Sequence, residues 1–183
     1  MPPVQRIYMT GFMGVGKSSV TPRVAKRLGF SSVDLDEEIV QHLGMSVPGI
    51  FEVLGEEVFR ETEWDLLQKY ARQPAIVVSL GGGALGNPHA LNLCLETGLL
   101  IYLKAGPVAL ARRLAKSRQT RPKLFGPNGQ MLTGEDLEHR VRTLLAERAS
   151  VYEQAEIIIP VDGLSTSQIA DKVLYAIQKN SKG

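Results

Sequence analysis

Short apolar runs alternate along the chain with longer segments in which apolar residues recur every three or four positions. Five runs have the length and composition of β-strands: residues 6–10, a run that ends near Asp34, 75–80, 99–103 and 156–161. The longer segments have helical spacing, as in the last of them, where one face carries Ile169, Val173, Leu174 and Ile177. Strands that alternate with helices in this way indicate a parallel sheet flanked by helices. The sequence therefore predicts a three-layer α/β/α fold with a central parallel sheet of about five strands.

Two finer features of the pattern lie between the second strand and the third. We expect one helix at about residues 36–43 and a second at about residues 47–70, broken around Leu54-Gly55. The run at residues 75–80 is continuously apolar, which is typical of a strand buried on both faces.

The first strand runs directly into GFMGVGKS at residues 11–18, a full match to the phosphate-binding loop G-x-x-x-x-G-K-[ST]. Its glycines allow backbone N–H groups to turn inward around phosphate oxygens, and the following helix points its positive end at the same anion. Lys17 would neutralise the β- and γ-phosphates, and the Ser18 hydroxyl is placed to coordinate Mg²⁺. The alternative is an incidental glycine turn. We expect ATP and Mg²⁺ here, bound by Gly14, Val15, Gly16, Lys17, Ser18 and Ser19.

The segment Asp34-Leu35-Asp36 lies at the end of the second predicted strand. Side chains alternate along a strand, so Asp34 and Asp36 should point to the same side, at the carboxyl edge where ligands of parallel sheets bind. Two carboxylates would then face the phosphates. The alternative, that they cap the next helix, stays open, because aspartate is a favoured N-cap residue and both roles can coexist.

Two further segments are ambiguous when each is taken alone. Glu63 follows Arg60 by three residues and can hold its guanidinium on a helix, although such a pair is more often a surface ion pair. The triple glycine, Gly81-Gly82-Gly83, follows a buried strand and would either bring bare backbone close to a ligand or simply turn the chain. Neither segment identifies a function by itself.

Basic residues are concentrated in one part of the chain. The stretch from residue 112 to residue 123 holds no acidic residue and these cations: Arg112, Arg113, Lys116, Arg118, Arg121 and Lys123. The phosphates of ATP would account for this concentration. For Arg112, Arg113 and Lys116 the alternative of a solvated helix face stays open. We assign only Arg121, beside Pro122, to the candidate site.

In their order and spacing these segments resemble the shikimate kinase family, and the resemblance covers nearly the whole chain. The matching segments are GFMGVGKS at 11–18, DLD at 34–36, GEEVFRETE at 55–63, SLGGGA at 79–84, RP at 121–122 and ERASVYEQA at 147–155. The resemblance implies a P-loop kinase of nucleoside-monophosphate-kinase-like architecture, with a mobile lid at about residues 115–134. It also implies transfer of the γ-phosphoryl group of ATP to the 3-hydroxyl of shikimate, a step of aromatic amino acid biosynthesis.

The resemblance implies roles on the nucleotide side of the site. Asp34 would support Mg²⁺ through water, together with the Ser18 hydroxyl. Asp36 would bind the acceptor's hydroxyl groups and stand nearest the one attacked, and Arg121 would reach the phosphates from the lid. Lys17, Asp36 and Arg121 are thus the expected catalytic residues, since phosphoryl transfer consists mostly of positioning and charge neutralisation.

On the acceptor side, the resemblance implies that Arg60 and Arg148 grip the substrate carboxylate. Two arginines suit a carboxylate because a planar guanidinium donates paired hydrogen bonds that lysine cannot reproduce. The backbone of the triple glycine would meet the substrate from below, with Phe51 and Phe59 as apolar walls. The expected substrate-binding residues are Asp36, Arg60, Gly81, Gly82, Gly83 and Arg148.

The chain departs from the family pattern at two places. Lys123-Leu124 follows Arg121-Pro122 where two leucines are expected, and residues 123–134, with three glycines and a proline, form a longer predicted loop. Residues 162–166, where the adenine loop should lie, lack the expected proline. Base contacts are therefore left unassigned.

Composition narrows the class of protein. The chain has 183 residues and a formal net charge of +2, which suits one domain spanning residues 1–183 and gives no overall positive field for nucleic acid. Cys94 is the only cysteine, and His42, His89 and His139 lack metal-ligand spacing. No secretory or membrane-spanning run is present. We expect a cytoplasmic monomer whose partners are shikimate and ATP, and neither nucleic acid nor membrane.

Two other hypotheses are kept. One is another small-molecule kinase of the same architecture, such as a gluconate kinase or a nucleoside monophosphate kinase, which should lack the series of Asp, Arg, triple glycine and second Arg. The other is a nucleotide-dependent binding module that kept the fold and lost turnover. The residues that argue against that module are all intact: Lys17, Ser18, Asp34, Asp36 and Arg121.

Overall fold

The computed structural model describes residues 5–117 and 121–180, and every structural statement below concerns these residues. Residues 118–120, which belong to the predicted lid at 115–134, lie outside the described residues. They include Arg118, one of the cations of the basic stretch.

A sheet of parallel strands forms the centre of the molecule. Its strands are β1 (Arg6–Thr10), β2 (Ser31–Asp34), β3 (Ile76–Ser79), β4 (Leu99–Lys104) and β5 (Ile157–Pro160). They lie in the order β2-β3-β1-β4-β5, and each neighbouring pair is parallel. The prediction of a five-stranded parallel sheet is therefore confirmed.

Helices occupy the connections between the strands, and one more helix follows the last strand. They are α1 (Lys17–Leu28), α2 (Leu35–Leu43), α3 (Val47–Val53), α4 (Gly55–Tyr70), α5 (Pro88–Thr97), α6 (Pro107–Ala115), α7 (Gly134–Tyr152) and α8 (Thr166–Asn180). Every residue of β3 is buried, so helices cover both faces of the sheet and the three-layer α/β/α architecture is confirmed. None of these helices is long and apolar enough to cross a membrane.

The apolar patterns of the sequence correspond to buried faces. On α8 the predicted face, Ile169, Val173, Leu174 and Ile177, is buried. The predicted break near Leu54-Gly55 is also present, since α3 ends at Val53 and α4 begins at Gly55. Gly55 has a φ of 88°, a left-handed conformation that favours glycine and lets the chain change direction between the two helices.

Asp36 does not lie on a strand. β2 ends at Asp34, and Leu35 already begins α2. Asp34 is the N-cap residue of that helix, and its carboxylate accepts hydrogen bonds from the backbone N–H groups of Asp36 and Glu37. The argument from strand alternation is therefore wrong for Asp36, whose direction is set by the first turn of a helix.

Residues 123–134, expected to be a loop, contain some local structure. A 3-10 turn spans Pro122–Leu124, and a short antiparallel bridge joins Phe125 to Met131. Leu124 is fully buried, and its carbonyl oxygen accepts a 2.9 Å hydrogen bond from the Leu132 N–H group. The segment is thus anchored at Leu124 before α7 begins.

The strand order brings three chain segments to one edge of the sheet. β2, β3 and β1 are neighbours, so the segments that follow their carboxyl ends are adjacent. These segments are the start of α2, the triple glycine and the phosphate loop at residues 11–18. This edge is the candidate site.

Candidate active site

The phosphate loop folds around its own lysine. Lys17 Nζ donates hydrogen bonds to the carbonyl oxygens of Gly11 (2.7 Å) and Phe12 (3.3 Å). Gly14 and Gly16 have φ angles of 78° and 109°, which other residues rarely adopt. Helix α1 begins directly after Gly16, so its positive N-terminal end opens onto the loop and suits an anion.

The amine of Lys17 is buried, and this changes its protonation. Burial lowers its pKa to about 8, although the carboxylates of Asp36 and Asp34 act in the opposite direction. A phosphate group beside the amine would favour the charged form again. The site is therefore built so that an anion and the Lys17 proton stabilise each other.

Asp34 connects the phosphate loop to the sheet. Ser18 and Ser79 both donate their hydroxyl hydrogens to Asp34 Oδ2, at 2.7 and 2.8 Å, while Asp34 Oδ1 caps α2. Asp34 can therefore cap α2 with one carboxylate oxygen while the other faces the phosphate loop. Ser79 was not identified from the sequence; it lies opposite Asp34 in the β2–β3 register, which only the strand pairing reveals.

Ser18 and Asp34 fit a bound Mg²⁺. A hydroxyl and a carboxylate are hard oxygen donors, and Mg²⁺ is usually held by one or two carboxylates together with substrate phosphates. Across residues 5–117 and 121–180, no group of three or more His, Cys, Asp or Glu side chains is placed to hold a metal ion. The two oxygen donors themselves, Ser18 and Asp34, are of the kind that suits Mg²⁺.

Asp36 faces the triple glycine. A Cβ atom on Gly81 would lie 2.7 Å from Asp36 Oδ1 and 2.6 Å from Glu63 Oε1, so a side chain there would collide with both. Burial raises the pKa of Asp36, and the charge of Asp34 raises it further, whereas Lys17 and two arginines lower it. Asp36 thus lies in a confined site, where nearby cations partly offset the effect of burial on its pKa.

Arg60 lies between two carboxylates on α4. Its Nη1 donates to Glu63 Oε2 at 2.6 Å, while Nη2 and Nε donate to Glu56 Oε1 at 3.0 and 3.3 Å. The expected pair with Glu63 is present, and it is not a surface pair because Glu63 is buried. Glu56 was not identified from the sequence, although its spacing of four residues from Arg60 is the usual signal for such a pair.

Arg148 approaches the triple glycine from α7. Its Nη1 donates to the Gly82 carbonyl oxygen at 2.8 Å, and its guanidinium lies 5.7 Å from the centre of the Phe12 ring. The Tyr152 hydroxyl donates to the same carbonyl oxygen at 2.5 Å. Tyr152, which was not identified from the sequence, lies four residues after Arg148 and therefore shares its helix face. Together they hold α7 against the triple glycine.

Two of the cavities at this edge of the sheet adjoin each other. The arginine cavity, of about 420 Å³, is lined by Phe51, Phe59, Arg60, Arg148 and the triple glycine, among others. The loop cavity, of about 460 Å³, is lined by Gly14, Lys17, Ser18 and Asp34, among others. Asp36 and Arg121 line both cavities. The structure therefore gathers most of the predicted residues around two adjoining spaces, with Asp36 and Arg121 among the residues shared by both. Val15, Gly16 and Ser19, which were also predicted, line neither of these two cavities.

The cations of the basic stretch differ in their surroundings. Arg121 Nη1 donates to Ser117 Oγ at 2.9 Å, and burial lowers its pKa while Asp36 raises it. Arg113, whose role the sequence left open, donates to the carbonyl oxygens of Val15 (2.9 Å) and Val161 (3.4 Å). It therefore braces the phosphate loop. Arg112 and Lys116 are exposed.

Comparisons with known proteins point in one direction. The family model described as shikimate kinase matches residues 13–178. A shikimate kinase of Chlorobaculum parvum is 39% identical over 174 residues, which cover 95% of this chain and 92% of that protein. The solved structure of a shikimate kinase from Acinetobacter baumannii in complex with shikimate superposes with a TM-score of 0.86 at 30% identity. That alignment covers 97% of this chain and 94% of the other.

A gluconokinase from Sinorhizobium meliloti is more distant. Its structure covers 97% of this chain, and this chain covers 94% of it, with a TM-score of 0.58 and 16% identity. At that identity the likeness concerns the fold alone. It shows that the kinase architecture is shared among enzymes with different acceptors.

Proposed function

The chain belongs to the shikimate kinase family, and we propose how its own residues carry out the family's reaction. The enzyme transfers the γ-phosphoryl group of ATP to the 3-hydroxyl of shikimate, with Mg²⁺ as cofactor, and forms shikimate 3-phosphate and ADP. The residue roles proposed below follow from the positions of side chains around the loop cavity and the arginine cavity.

ATP binds in the loop cavity. The N-terminus of α1 and the backbone of residues 14–19 receive its phosphates. Lys17 exchanges its contacts with the loop carbonyl groups for the β- and γ-phosphates, whose charge favours the protonated amine. Ser18 and Asp34 would hold Mg²⁺, which supplies positive charge that offsets the charge of the phosphates.

Shikimate binds in the arginine cavity. Arg60 and Arg148 donate charged hydrogen bonds to its carboxylate. Each guanidinium has five N–H hydrogens, and its contacts within the protein leave some of them to donate to the substrate. The rings of Phe51 and Phe59, whose centres lie 5.1 Å apart, form an apolar wall for the carbon ring. The triple glycine allows the substrate to approach the backbone closely.

One observation carries this assignment: Asp36 and Arg121 line both cavities. Asp36 accepts a hydrogen bond from the attacked hydroxyl and takes its proton as the bond from oxygen to the γ-phosphorus forms. The bond from that phosphorus to the bridging oxygen of ADP breaks at the same time. Lys17 and Arg121 neutralise the charge that develops on the leaving phosphate.

Membership of the family also bears on the domain organisation, oligomeric state and location of the protein. We propose that residues 1–183 form one kinase domain, with residues 115–134 as its lid, that works as a cytoplasmic monomer. Support comes from the site, whose nucleotide-binding and acceptor-binding residues all lie on one chain, and from Cys94, a buried free thiol that suits a reducing compartment. Sedimentation equilibrium tests the monomer, and a dimer with altered kinetics would contradict it.

The assignment of Arg60 and Arg148 to the shikimate carboxylate is tested by substituting each arginine and, separately, by removing the carboxylate from the substrate. Arg60→Lys and Arg148→Lys should each lower kcat/KM for shikimate by roughly ten- to a hundred-fold, because each loses charged hydrogen bonds worth about 1.5–3 kcal/mol. The KM for ATP should stay near the wild-type value.

A shikimate analogue whose carboxylate is reduced to an alcohol supplies the control. It lacks the same hydrogen bonds already, so it should be a poor substrate of the wild type and be barely worsened by either substitution. If the alcohol reacts as well as shikimate, or if the variants lose ATP affinity instead, the arginines serve the nucleotide and the assignment is wrong.

A further inference from the structure

Lys123 brings a third cation to the arginine cavity. It lies two residues after Arg121 in the 3-10 turn Pro122–Leu124, and it lines the arginine cavity together with Arg60 and Arg148. Its Nζ is 3.7 Å from Glu56 Oε1. The resemblance to the shikimate kinase family implies no role for Lys123, which stands where the family pattern has an apolar residue.

Glu56 is shared between two cations. The oxygen that faces Lys123 also accepts the hydrogen bonds from Arg60, at 3.0 and 3.3 Å. Arg60 gives its third hydrogen bond to Glu63, so its guanidinium lies between two carboxylates. The pKa of Glu56 is lowered, first by its hydrogen bond with Arg60 and further by the charge of Lys123, so Glu56 is ionised at neutral pH.

The two carboxylates oppose the binding of an acidic acceptor. An incoming carboxylate is attracted by Arg60 but repelled by Glu56 and Glu63, which lie on the same guanidinium. A cation next to Glu56 reduces that repulsion without occupying the hydrogen bonds of Arg60. The position of Lys123 therefore affects how strongly Arg60 attracts an acceptor.

Lys123 and Arg121 belong to one hydrogen-bonded turn. The Leu124 N–H group donates to the Arg121 carbonyl oxygen at 2.9 Å, and the Leu124 side chain is fully buried. The turn thus places Arg121 at the junction with the loop cavity and Lys123 beside Glu56 on one short, bonded segment. A nucleotide that drew Arg121 toward its phosphates would therefore also act on the backbone that carries Lys123.

We propose that Lys123, through Glu56, couples nucleotide binding to acceptor binding. With nucleotide bound, the turn at Pro122–Leu124 holds Lys123 against Glu56, and Arg60 then binds the acceptor carboxylate more tightly. The proposal rests on the proposed function in one respect, that Arg60 binds that carboxylate. Both side chains of the pair are about half exposed, so the expected effect is modest, about two- to five-fold.

The measured quantity is the ratio of shikimate dissociation constants without and with a non-hydrolysable ATP analogue and Mg²⁺. Trp64, the only tryptophan, lines a cavity together with Arg60, Arg148 and Lys123, so its fluorescence can report binding, with calorimetry as a second readout. Lys123→Met should lower the ratio about two- to five-fold and leave the affinity for the nucleotide analogue unchanged. Arg142→Met, which breaks an exposed pair with Glu138 on α7, is the control with the same change in net charge and should leave the ratio unchanged.

A double-mutant cycle identifies the route of the coupling. In a Glu56→Gln background, Lys123→Met should have little further effect on the ratio, because the charge through which Lys123 acts is already gone. An equal effect in both backgrounds would mean that Lys123 acts on the acceptor directly and would overturn the proposal, as would an unchanged ratio in Lys123→Met alone. If the wild type does not bind shikimate, or if Arg60→Lys does not weaken its binding, the proposed function fails instead.

Discussion

Lys17 is buried among carbonyl groups and yet has to be charged to bind phosphate. Its pKa is lowered to about 8, and burial is the main cause. The price of that burial is offset only when an anion is present, because the phosphates favour the protonated amine. Nucleotide binding and protonation of Lys17 are therefore linked.

This linkage gives the sign of a pH effect. Because the pKa of Lys17 is lowered in the free enzyme and restored by phosphates, the amine is neutral more often above about pH 8, and nucleotide affinity falls as the pH rises through that value. At about pH 8.5 the binding of ADP and Mg²⁺ should take up a large fraction of a proton, and at about pH 7 very little. Calorimetry in two buffers of different ionisation enthalpy measures this uptake. Lys17→Met is the control, and equal uptake by the variant would contradict the linkage.

Asp36 and Asp34 are separated by one residue and are assigned different roles. Asp36→Asn should nearly abolish turnover while the affinity for nucleotide and Mg²⁺, measured by calorimetry, stays within a few-fold of wild type. Asp34→Asn is the matched control and should weaken binding of the nucleotide with Mg²⁺, because its carboxylate contacts Ser18. The opposite pattern in the two variants would exchange the roles.

Site residues could be identified from the sequence when they belong to a local motif. Lys17 and the Arg60–Glu63 pair could be identified because their partners lie within one loop or one helical turn. Ser18 could be identified because it belongs to the phosphate-loop motif, although its partner Asp34 lies 16 residues away. Tyr152 could not, because it contacts Gly82 across 70 residues of sequence, a proximity that only the packing of α7 creates.

At the scale of elements, the turn between a strand and a helix decides where side chains point. Sequence pattern located β2 and α2 but placed Asp36 on the strand, because hydrophobic periodicity marks the existence of an element better than its boundary. The N-cap geometry of Asp34 starts the helix one residue earlier than expected. The same limit applies to residues 123–134, whose 3-10 turn and bridge have no strong periodic signal.

Closure of the segment that carries Arg121 should be required for turnover. Arg121→Ala should lower kcat, because a charge next to the reacting phosphate is lost and the site is less shielded from water. Amide hydrogen exchange across residues 121–134 should slow when the ATP analogue and shikimate are both present. Peptides from β1 and β3 serve as controls, since β3 is buried and β1 is buried apart from Arg6. Unchanged exchange in residues 121–134 would argue against closure.

At the scale of the whole molecule, the sheet order is what assembles the site. β3 lies between β2 and β1, so the triple glycine is placed between the start of α2 and the phosphate loop. The alternation of strands and helices predicted the parallel sheet, but nothing in the periodicity specified the strand order. Arg60 and Arg148 illustrate the consequence: they lie on α4 and α7, and only the assembled fold brings both to the triple glycine.

The central claim is that this chain phosphorylates shikimate from ATP, and the most direct test measures release of ADP with several acceptors in parallel. Shikimate, gluconate and nucleoside monophosphates are supplied separately with ATP and Mg²⁺, and the product is identified by mass and by ³¹P resonance. We predict ADP release that matches formation of shikimate 3-phosphate mole for mole, only background release with the other acceptors, and loss of turnover in Lys17→Met. Preferred turnover of gluconate or a nucleotide, or ATP binding without turnover of any acceptor, would contradict the claim.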